Sequence, residues 1–233
     1  MKDNPRVDIV VQARAGSSRL PNKVLMPILN RPMLDLLLER LSYCQRVTEV
    51  VLATTDNPLD DEVAAVADKR RNRVIRGSEK DVLSRFLQVA RQCESDIIVR
   101  VCADNPLTDP DIVDKSIETL IREGVDHLSL FQKNTFPYGS GCAVFTAKAL
   151  EFINTTSLSV VDKEHVEPAL FREDSIKTSY FKAPPHLNRP DVSLTVDYQH
   201  QFDWITNVFE KLYQPDQVFL TQDVLRLIDT EGC

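Results

Sequence analysis

Long apolar runs are missing from this sequence of 233 residues. The longest uninterrupted one covers residues 63–67, whereas a helix that crosses a membrane needs about 20 apolar residues. Residues 1–5 also lack the apolar stretch of a secretory signal peptide. We therefore expect a cytoplasmic protein with no membrane partner.

An excess of basic residues is missing as well. The chain has 28 lysines and arginines against 35 aspartates and glutamates, a formal net charge of -7. A broad nucleic-acid surface needs a basic excess, so we expect no nucleic-acid partner. A small anionic ligand stays possible, because a few local cations can hold one on an acidic protein.

Paired cysteine motifs are absent too. The five cysteines are an odd number, include no C-x-x-C pair and have no histidine at metal-ligand spacing. Cys44, Cys93 and Cys102 lie among apolar neighbours, which favours reduced packing residues over ligands. At a hydrophobic share of 42%, a chain of this length buries enough surface to fold without disulfides or a structural metal.

Short β-branched runs alternate with helical patterns through the first half of the chain. The predicted strands are residues 7–12, 49–54, 73–76 and 96–101, and the predicted helices are residues 33–44, 59–69 and 78–93. Ser78 and Asp81 form a potential capping box, and Asp109 with Pro110 predicts the start of a further helix. Repeated strand–helix units indicate an α/β fold with a mostly parallel central sheet flanked by helices.

The pattern changes from His127 onward. The strand candidates there are residues 127–131, 141–146, 176–181 and 192–196, and helices are predicted at 198–212 and 221–229. This half is expected to extend the sheet and to carry a small β-containing excursion at about residues 136–185. Without a flexible linker, residues 1–233 are predicted to form a single domain.

The loop after the first predicted strand is the first candidate site. Small residues there allow backbone N–H groups to approach an anion, and Arg14, Arg19 and Lys23 add three cations within ten positions. The candidate phosphate-binding residues are Gln12, Ala13, Arg14, Gly16, Ser17, Arg19 and Lys23. The spacing matches neither a Walker loop nor G-x-G-x-x-G, and a basic surface turn is the alternative interpretation.

Two carboxylates follow predicted strands. Asp104 comes just after residues 96–101, and Asp197 ends the run at 192–196. Each has a simpler interpretation, since Asp104 can form a turn before Pro106 and Asp197 can cap the next helix. Together they have the chemistry to hold Mg²⁺ against phosphate oxygens.

Two further segments are more ambiguous. His165 lies beside acids, which is more often a surface or helix-start feature than a site. In Arg76-Gly77-Ser78, a turn explains the glycine and capping explains the serine. Ligands of open parallel sheets bind at the carboxyl ends of strands, so the loops after Gln12, Arg76 and Val101 are expected to meet.

The loop R-A-G-S-S-R-L-P-N-K at residues 14–23 resembles the signature of CMP-sugar synthetases, the cytidylyltransferases that activate sialic acid and Kdo. The larger set of motifs resembles the SpsF-like branch of spore-coat polysaccharide biosynthesis proteins. The further matching stretches are R-G-S-E-K-D-V-L-S-R-F (76–86), R-V-C-A-D-N-P-L-T-D-P (100–110), K-E-H-V (163–166) and L-T-V-D (194–197).

The resemblance implies a GT-A-like nucleotidyltransferase domain, often a homodimer, that uses CTP and Mg²⁺. It places the triphosphate on the loop, with Arg14 and Lys23 catalytic, and the metal on Asp104 and Asp197, which are catalytic as well. Arg76, Gly77 and Ser78 would lie near the base or ribose, with Asp104 also on the nucleotide. The acceptor would meet Tyr138, Lys163, Glu164 and His165.

The sequence departs from that pattern near the acceptor. Residues 137–145 lack the acidic residues that the family tends to carry, and Lys163 replaces an arginine. The acceptor stays open among a 2-keto sugar acid, a sugar or polyol phosphate, and a small phosphonate or phospho-amino acid. Three rival functions also stay open: a glycosyltransferase of the same fold, a nucleotide-binding subunit without turnover, and a transferase that uses another nucleoside triphosphate.

Overall fold

Strands and helices alternate along residues 4–130 and 135–231, the part of the chain that the computed structural model describes. The strands are β1 (Val7–Gln12), β2 (Pro27–Ile28), β3 (Arg31–Pro32), β4 (Glu49–Thr55), β5 (Arg73–Gly77), β6 (Ile97–Cys102), β7 (His127–Ser129), β8 (Ala143–Thr146) and β9 (Thr178–Tyr180). The helices are α1 (Met33–Leu41), α2 (Asp61–Lys69), α3 (Val82–Gln92), α4 (Pro110–Glu123), α5 (Ala147–Ile153), α6 (Val160–His165), α7 (Glu167–Arg172), α8 (Gln199–Leu212) and α9 (Thr221–Glu231).

Seven strands form one sheet in the order β5-β4-β1-β6-β8-β7-β9. The first four are parallel, β8 runs antiparallel to β6 and β7, and β9 is parallel to β7. The predicted mostly parallel sheet is therefore confirmed. Because β1 lies between β4 and β6, its carboxyl end opens at the middle of the sheet, where parallel α/β folds bind ligands.

Alternation along β1 divides the core into two layers. Ile9 packs with α1, α4 and α8 on one face, and Val10 packs with α3, α5 and α7 on the other. Successive side chains of a strand point to opposite faces, so a sheet covered on both sides favours apolar residues on both faces. This explains the continuous apolar run at residues 9–11, and the buried Asp8 is the exception, paired with Arg6 at 2.9 Å.

The start of α3 corrects one sequence prediction. The helix begins at Val82, not at Ser78, because Asp81 is its N-cap and accepts a hydrogen bond from Ser84 N at 2.8 Å. The Ser78 Oγ instead accepts from Asp81 N, which closes a turn before the helix. At α4 the prediction is confirmed, since Asp109 caps the helix and Pro110 opens it.

The second half extends the sheet as predicted, with one exception. Residues 136–185 supply β8 and β9 to the central sheet together with helices α5 to α7. The strand predicted at 192–196 is wrong: Ser193 makes a single bridge to Tyr138, and the segment is otherwise irregular. Phe131 of the strand candidate 127–131 lies outside the described residues.

Cysteines pack as predicted among the described residues. Cys44, Cys93 and Cys142 are buried and Cys102 is partly buried, and none of these four forms a disulfide within the described residues. Burial raises the pKa of the Cys142 thiol to about 12, which keeps it protonated and unreactive at neutral pH. Cys233 lies outside the described residues.

Over residues 4–130 and 135–231, no helix is long and apolar enough to cross a bilayer.

A buried carboxylate organises the start of α6. Asp162 forms a reciprocal capping box with Ser159 and accepts two hydrogen bonds of 2.9 Å from Arg172. The Arg172 hydrogen bonds outweigh the opposing effect of burial and lower the pKa of Asp162 to about 2. The capping box and the arginine thus join α6 to α7 at the edge of the cavity described below.

Asp162→Asn is expected to lower the free energy of unfolding by about 1–2 kcal/mol at neutral pH, discounted because Arg172 is half exposed. The depressed pKa stabilises the fold above the unfolded value near 4, and that contribution disappears as the pH falls through about 2. Urea unfolding of both proteins at pH 7 and pH 2 measures this. Asp174→Asn, at an exposed position nearby, is the control. If Asp162→Asn lowered the free energy of unfolding by the same amount at pH 7 and at pH 2, the assignment would be contradicted.

Candidate active site

A cavity of about 730 Å³ opens at the carboxyl ends of β1 and β6. Its walls come from the loop after β1, the turn after β6, the start of α7 and the segment before α8. The predicted site residues that line it are Gln12, Ala13, Arg14, Gly16, Ser17, Arg19, Lys23, Asp104, Tyr138, Glu164, His165 and Asp197. Residues far apart in the sequence therefore meet in one site.

Lys23 joins the two predicted metal carboxylates. Its Nζ lies 3.1 Å from Asp104 Oδ2 and 2.9 Å from Asp197 Oδ1, and it donates to the Val196 carbonyl at 2.6 Å. The side chain is 9% exposed, so the ammonium is held in the cavity floor. An ammonium desolvated to this degree needs opposite charges nearby, and the two carboxylates supply them.

Arg19 adds a second cation to Asp197. Its Nη2 lies 2.6 Å from Asp197 Oδ1, and its guanidinium is 5.6 Å from the centre of the Tyr198 ring. Burial raises the pKa of Asp197, but hydrogen bonds from Lys23 and Arg19 outweigh it and lower the pKa overall. Asp197 is therefore ionised at neutral pH.

Backbone contacts hold the two carboxylate segments together. Val196 N donates to the Asp104 carbonyl at 2.8 Å, and Thr195 Oγ1 donates to Asn105 Oδ1 at 2.8 Å. Gly139 packs against this junction at φ 89°, where an added Cβ would lie 2.6 Å from Thr195 Oγ1. The turn after β6 and the segment before α8 thus form one rigid wall of the site.

Asp60 fixes the cationic loop and was missed by the sequence analysis. This buried carboxylate accepts a hydrogen bond from Ala15 N at 2.6 Å and another from Thr55 Oγ1. It reaches the loop from the turn that precedes α2, 45 positions further along the chain. The pattern around Asp60 looks like a helix start, so nothing local indicated the long-range contact.

Asp60→Ala is expected to raise the KM for the predicted nucleoside triphosphate about 10- to 150-fold, the range for loss of a charge-assisted hydrogen bond. The loop would lose its buried anchor, so its cations would no longer be preorganised. Steady-state kinetics with varied nucleotide measures the change. Asp68→Ala, on the exposed face of α2, is the control, and equal KM values for the two variants would remove Asp60 from the account.

Other predicted residues of the loop make longer contacts with the rest of the protein. Arg14 Nη1 lies 3.3 Å from Glu79 Oε1 and its side chain is exposed. Ser17 Oγ accepts a hydrogen bond from Leu20 N at 3.3 Å. An added Cβ at Gly16 would come no closer than 3.9 Å to Glu79. Arg14 is consequently free to turn toward a ligand at low cost.

The segment after β5 only partly joins the site. Glu79 reaches Arg14, but Arg76, Gly77 and Ser78 are not among the residues that line the cavity. Arg76 instead donates to the carbonyls of Thr55 and Asn57 and pairs with Asp61. The Arg76 guanidinium thus fastens β5 to the start of α2, and the loop after it meets the loop after β1 through Glu79.

Packing against α3 explains why residue 77 is a glycine. A Cβ there would lie 2.8 Å from Gln88 Oε1 and 3.2 Å from Arg85 Cγ. The close approach of α3 to the end of β5 therefore favours glycine without any ligand. The predicted role of Arg76, Gly77 and Ser78 near the base or ribose stays a prediction.

The predicted acceptor residues separate into two groups. Tyr138, Glu164 and His165 line the cavity, whereas Lys163 Nζ points at Asp81 at 3.7 Å and is not a lining residue. Burial, with a smaller effect of Asp104, raises the pKa of Tyr138. Its phenol therefore stays protonated in the neutral range.

A buried polar cluster borders the cavity, and the sequence analysis did not predict it. It consists of Arg100 on β6, Glu167 at the start of α7, and His127 and Ser129 on β7. The preceding Val166 is buried at φ 64°, a strained value for a β-branched residue, and it turns the chain between α6 and α7. His127 had no partner pattern in the sequence because its partners come from other elements.

The donor set fits Mg²⁺ that is completed by phosphate. One oxygen of each carboxylate contacts Lys23, while Asp104 Oδ1 and Asp197 Oδ2 make no hydrogen bond to residues 4–130 or 135–231. Within those ranges no group of three or more His, Cys, Asp or Glu side chains is arranged for a metal. Mg²⁺ usually takes one or two carboxylates, with phosphate oxygens and water as the other ligands.

A family model described as cytidylyltransferase matches residues 9–224. The spore coat polysaccharide biosynthesis protein SpsF of Bacillus subtilis is 32% identical over 87% of this chain and 85% of its own length. The family model spans the loop after β1, the turn after β6 and the segment before α8.

Solved structures share the same fold. A cytidylyltransferase from Leptospira borgpetersenii superposes with a TM-score of 0.92 and 27% identity, over 98% of this chain and 95% of that one. A CMP:2-keto-3-deoxy-manno-octonic acid synthetase complexed with CTP superposes with a TM-score of 0.68 over 89% of this chain and 100% of that one. At 18% identity, this second likeness concerns the fold alone.

Proposed function

This chain belongs to the cytidylyltransferase family. From that premise we propose what each site residue contributes to the transfer of CMP. The protein is a CTP-dependent nucleotidyltransferase that moves CMP from CTP to an oxygen of an acceptor and releases pyrophosphate. The proposal rests on one observation, the convergence of Lys23, Asp104 and Asp197 beneath the cationic loop.

The loop after β1 binds the triphosphate in this proposal. Arg14 turns from Glu79 toward the phosphates, and the backbone N–H of Gly16 faces them, since those of Ala15 and Ser17 donate to Asp60 and to the Ala15 carbonyl. Arg19 and Lys23 stabilise the negative charge that develops on the departing pyrophosphate. The anchor at Asp60 keeps these donors in place before CTP arrives.

Asp104 and Asp197 would hold Mg²⁺ through the oxygens that Lys23 leaves unused. When bound, Mg²⁺ supplies charge neutralisation at the phosphate oxygens. The protein's own contribution is positioning: the acceptor hydroxyl forms a bond to the α-phosphorus while the bond to the β-phosphate breaks, with the two oxygens roughly in line.

The acceptor enters between Tyr138 and the start of α7. Glu164 and His165 line that side of the cavity, so they are proposed to contact acceptor hydroxyls. We also propose that the protein is a homodimer. The start of α6 exposes Val160 and Val161, with Phe152 of α5 also partly exposed, and exposed apolar side chains of this kind favour a protein contact.

A pyrophosphate-release assay tests the proposed function. The four nucleoside triphosphates are each supplied with Mg²⁺ and a panel of 2-keto sugar acids, sugar phosphates and neutral sugars. We expect release with CTP, dependent on one acceptor class. Release with another nucleoside triphosphate but not with CTP, or none with any pairing, would contradict the proposal.

A further inference from the structure

Arg100 is a cavity-lining cation that the steps above leave unused. Four lysine or arginine side chains line the cavity among the described residues, and three of them belong to the loop after β1. Arg100 comes from β6, and its side chain is 11% exposed. A cation this far removed from water needs a partner for its charge and its N–H groups.

The contacts of Arg100 are long. Its Nη1 lies 3.6 Å from Glu167 Oε2 and its Nη2 lies 3.4 Å from Gln12 Oε1, while its buried Nε has no hydrogen-bond partner among residues 4–130 and 135–231. Short N–H···O bonds are about 2.7–3.2 Å, and Arg172 makes two of 2.9 Å to Asp162 in the same protein. Arg100 can therefore turn its N–H groups to an incoming oxyanion without breaking a short bond.

Glu167 has partners besides Arg100. Its Oε1 accepts a hydrogen bond from Ser129 Oγ at 3.2 Å and lies 3.4 Å from His127 Nε2. The carboxylate is thus anchored in the wall of the cavity whether or not Arg100 stays beside it. It sets the resting position of the guanidinium at 3.6 Å and is not needed to hold an oxyanion once Arg100 has turned.

Arg100 lies in the cavity that holds the reacting end. Gln12 pairs in register with Cys102, so a guanidinium in contact with Gln12 is at the level of Cys102. Asp104 follows two residues later in the turn after β6, and Arg100, Asp104 and Asp197 all line the same cavity. An acceptor held by Arg100 therefore shares one cavity with the carboxylates that face the α-phosphate in the proposed mechanism.

We propose that Arg100 binds a carboxylate or phosphate group of the acceptor, which makes the acceptor a small oxyanion and not a neutral sugar. The inference rests on the proposed function, because it places the acceptor in the same cavity as CTP. A guanidinium binds both oxyanions in a forked geometry, so the experiment has an arm for each.

Calorimetry on the full chain tests this with four probes: a 2-keto sugar acid, its C1 amide, a hexose phosphate and the neutral hexose. Each is titrated without nucleotide, and again with Mg²⁺ and a CTP analogue that carries a methylene bridge between the α- and β-phosphates. We expect one charged probe to bind about 10- to 150-fold more tightly than its uncharged counterpart. The arm that shows the preference identifies the oxyanion.

Variants separate recognition from a structural ion pair. Arg100→Gln should erase the preference and leave the affinity for the CTP analogue unchanged, whereas Glu167→Gln should retain it. Arg100→Lys keeps the charge but not the two-pronged guanidinium geometry, so it should lose most of the preference for the charged probe. This variant replaces Arg100→Gln in the test if the glutamine variant fails to fold. No preference for either charged probe, or a preference that survives in Arg100→Gln, would overturn the inference; failure to bind the CTP analogue would instead count against the proposed function.

Discussion

Lys23→Met is expected to lower kcat by about 10²–10³-fold, the cost of removing one preorganised group that stabilises transition-state charge. The ammonium contacts both Asp104 and Asp197 and is almost fully buried. Without it, the departing pyrophosphate loses a donor and the two carboxylates lose their shared cation. Pyrophosphate release under saturating CTP and acceptor measures the change.

Lys211→Met is the matched control for that variant. Lys211 lies on α8 and pairs with Glu231 on the surface, so its loss removes a cation without touching the cavity. We expect native turnover from this control. Near-native turnover from Lys23→Met as well would show that Lys23 has a structural role only.

Phe145→Ala is expected to lower the free energy of unfolding by about 3–5 kcal/mol. Phe145 is fully buried on β8, and its ring centre lies 6.2 Å from that of Phe86 on α3. Truncation opens a cavity between the sheet and α3, and the dense packing around it limits collapse. For a chain of this size the loss corresponds to a fall in Tm of about 6–20 °C.

Ile121→Ala is the control for the packing effect. Ile121 lies on α4 and is 38% exposed, so truncation there should cost about 1 kcal/mol or less. Chemical unfolding and thermal melting of the two variants give the comparison. Equal losses would mean that β8 does not belong to the densely packed core.

The first half of the fold was predictable because its signals are local. The run at residues 7–12 places apolar side chains on both faces of β1 because helices cover both sides of the sheet, and Asp109 with Pro110 starts α4 through its own side chain and ring. The boundary of α3 failed for a local reason too. Both Ser78 and Asp81 are good caps, and the backbone conformation that selects Asp81 is absent from the pattern.

The site was predictable where motifs carry it and hidden where tertiary contacts build it. Arg14, Lys23, Asp104 and Asp197 stand in recognisable stretches, and the topology brings the last three into contact. Asp60 and Glu167 look like ordinary helix-start acids. Their contacts to Ala15 and His127 exist only after strands and helices from distant parts of the chain have packed together.

The claim that most of this account depends on is that the cationic loop and the two acids form a magnesium-dependent site for CTP. Calorimetric titration of the protein with CTP, in Mg²⁺ and in EDTA, measures it directly. We expect tight binding only with Mg²⁺ in the wild type, and weak binding that is the same in Mg²⁺ and in EDTA for Asp104→Asn and Asp197→Asn. Equal CTP affinity with and without Mg²⁺ in the wild type, or no CTP binding at all, would contradict the account.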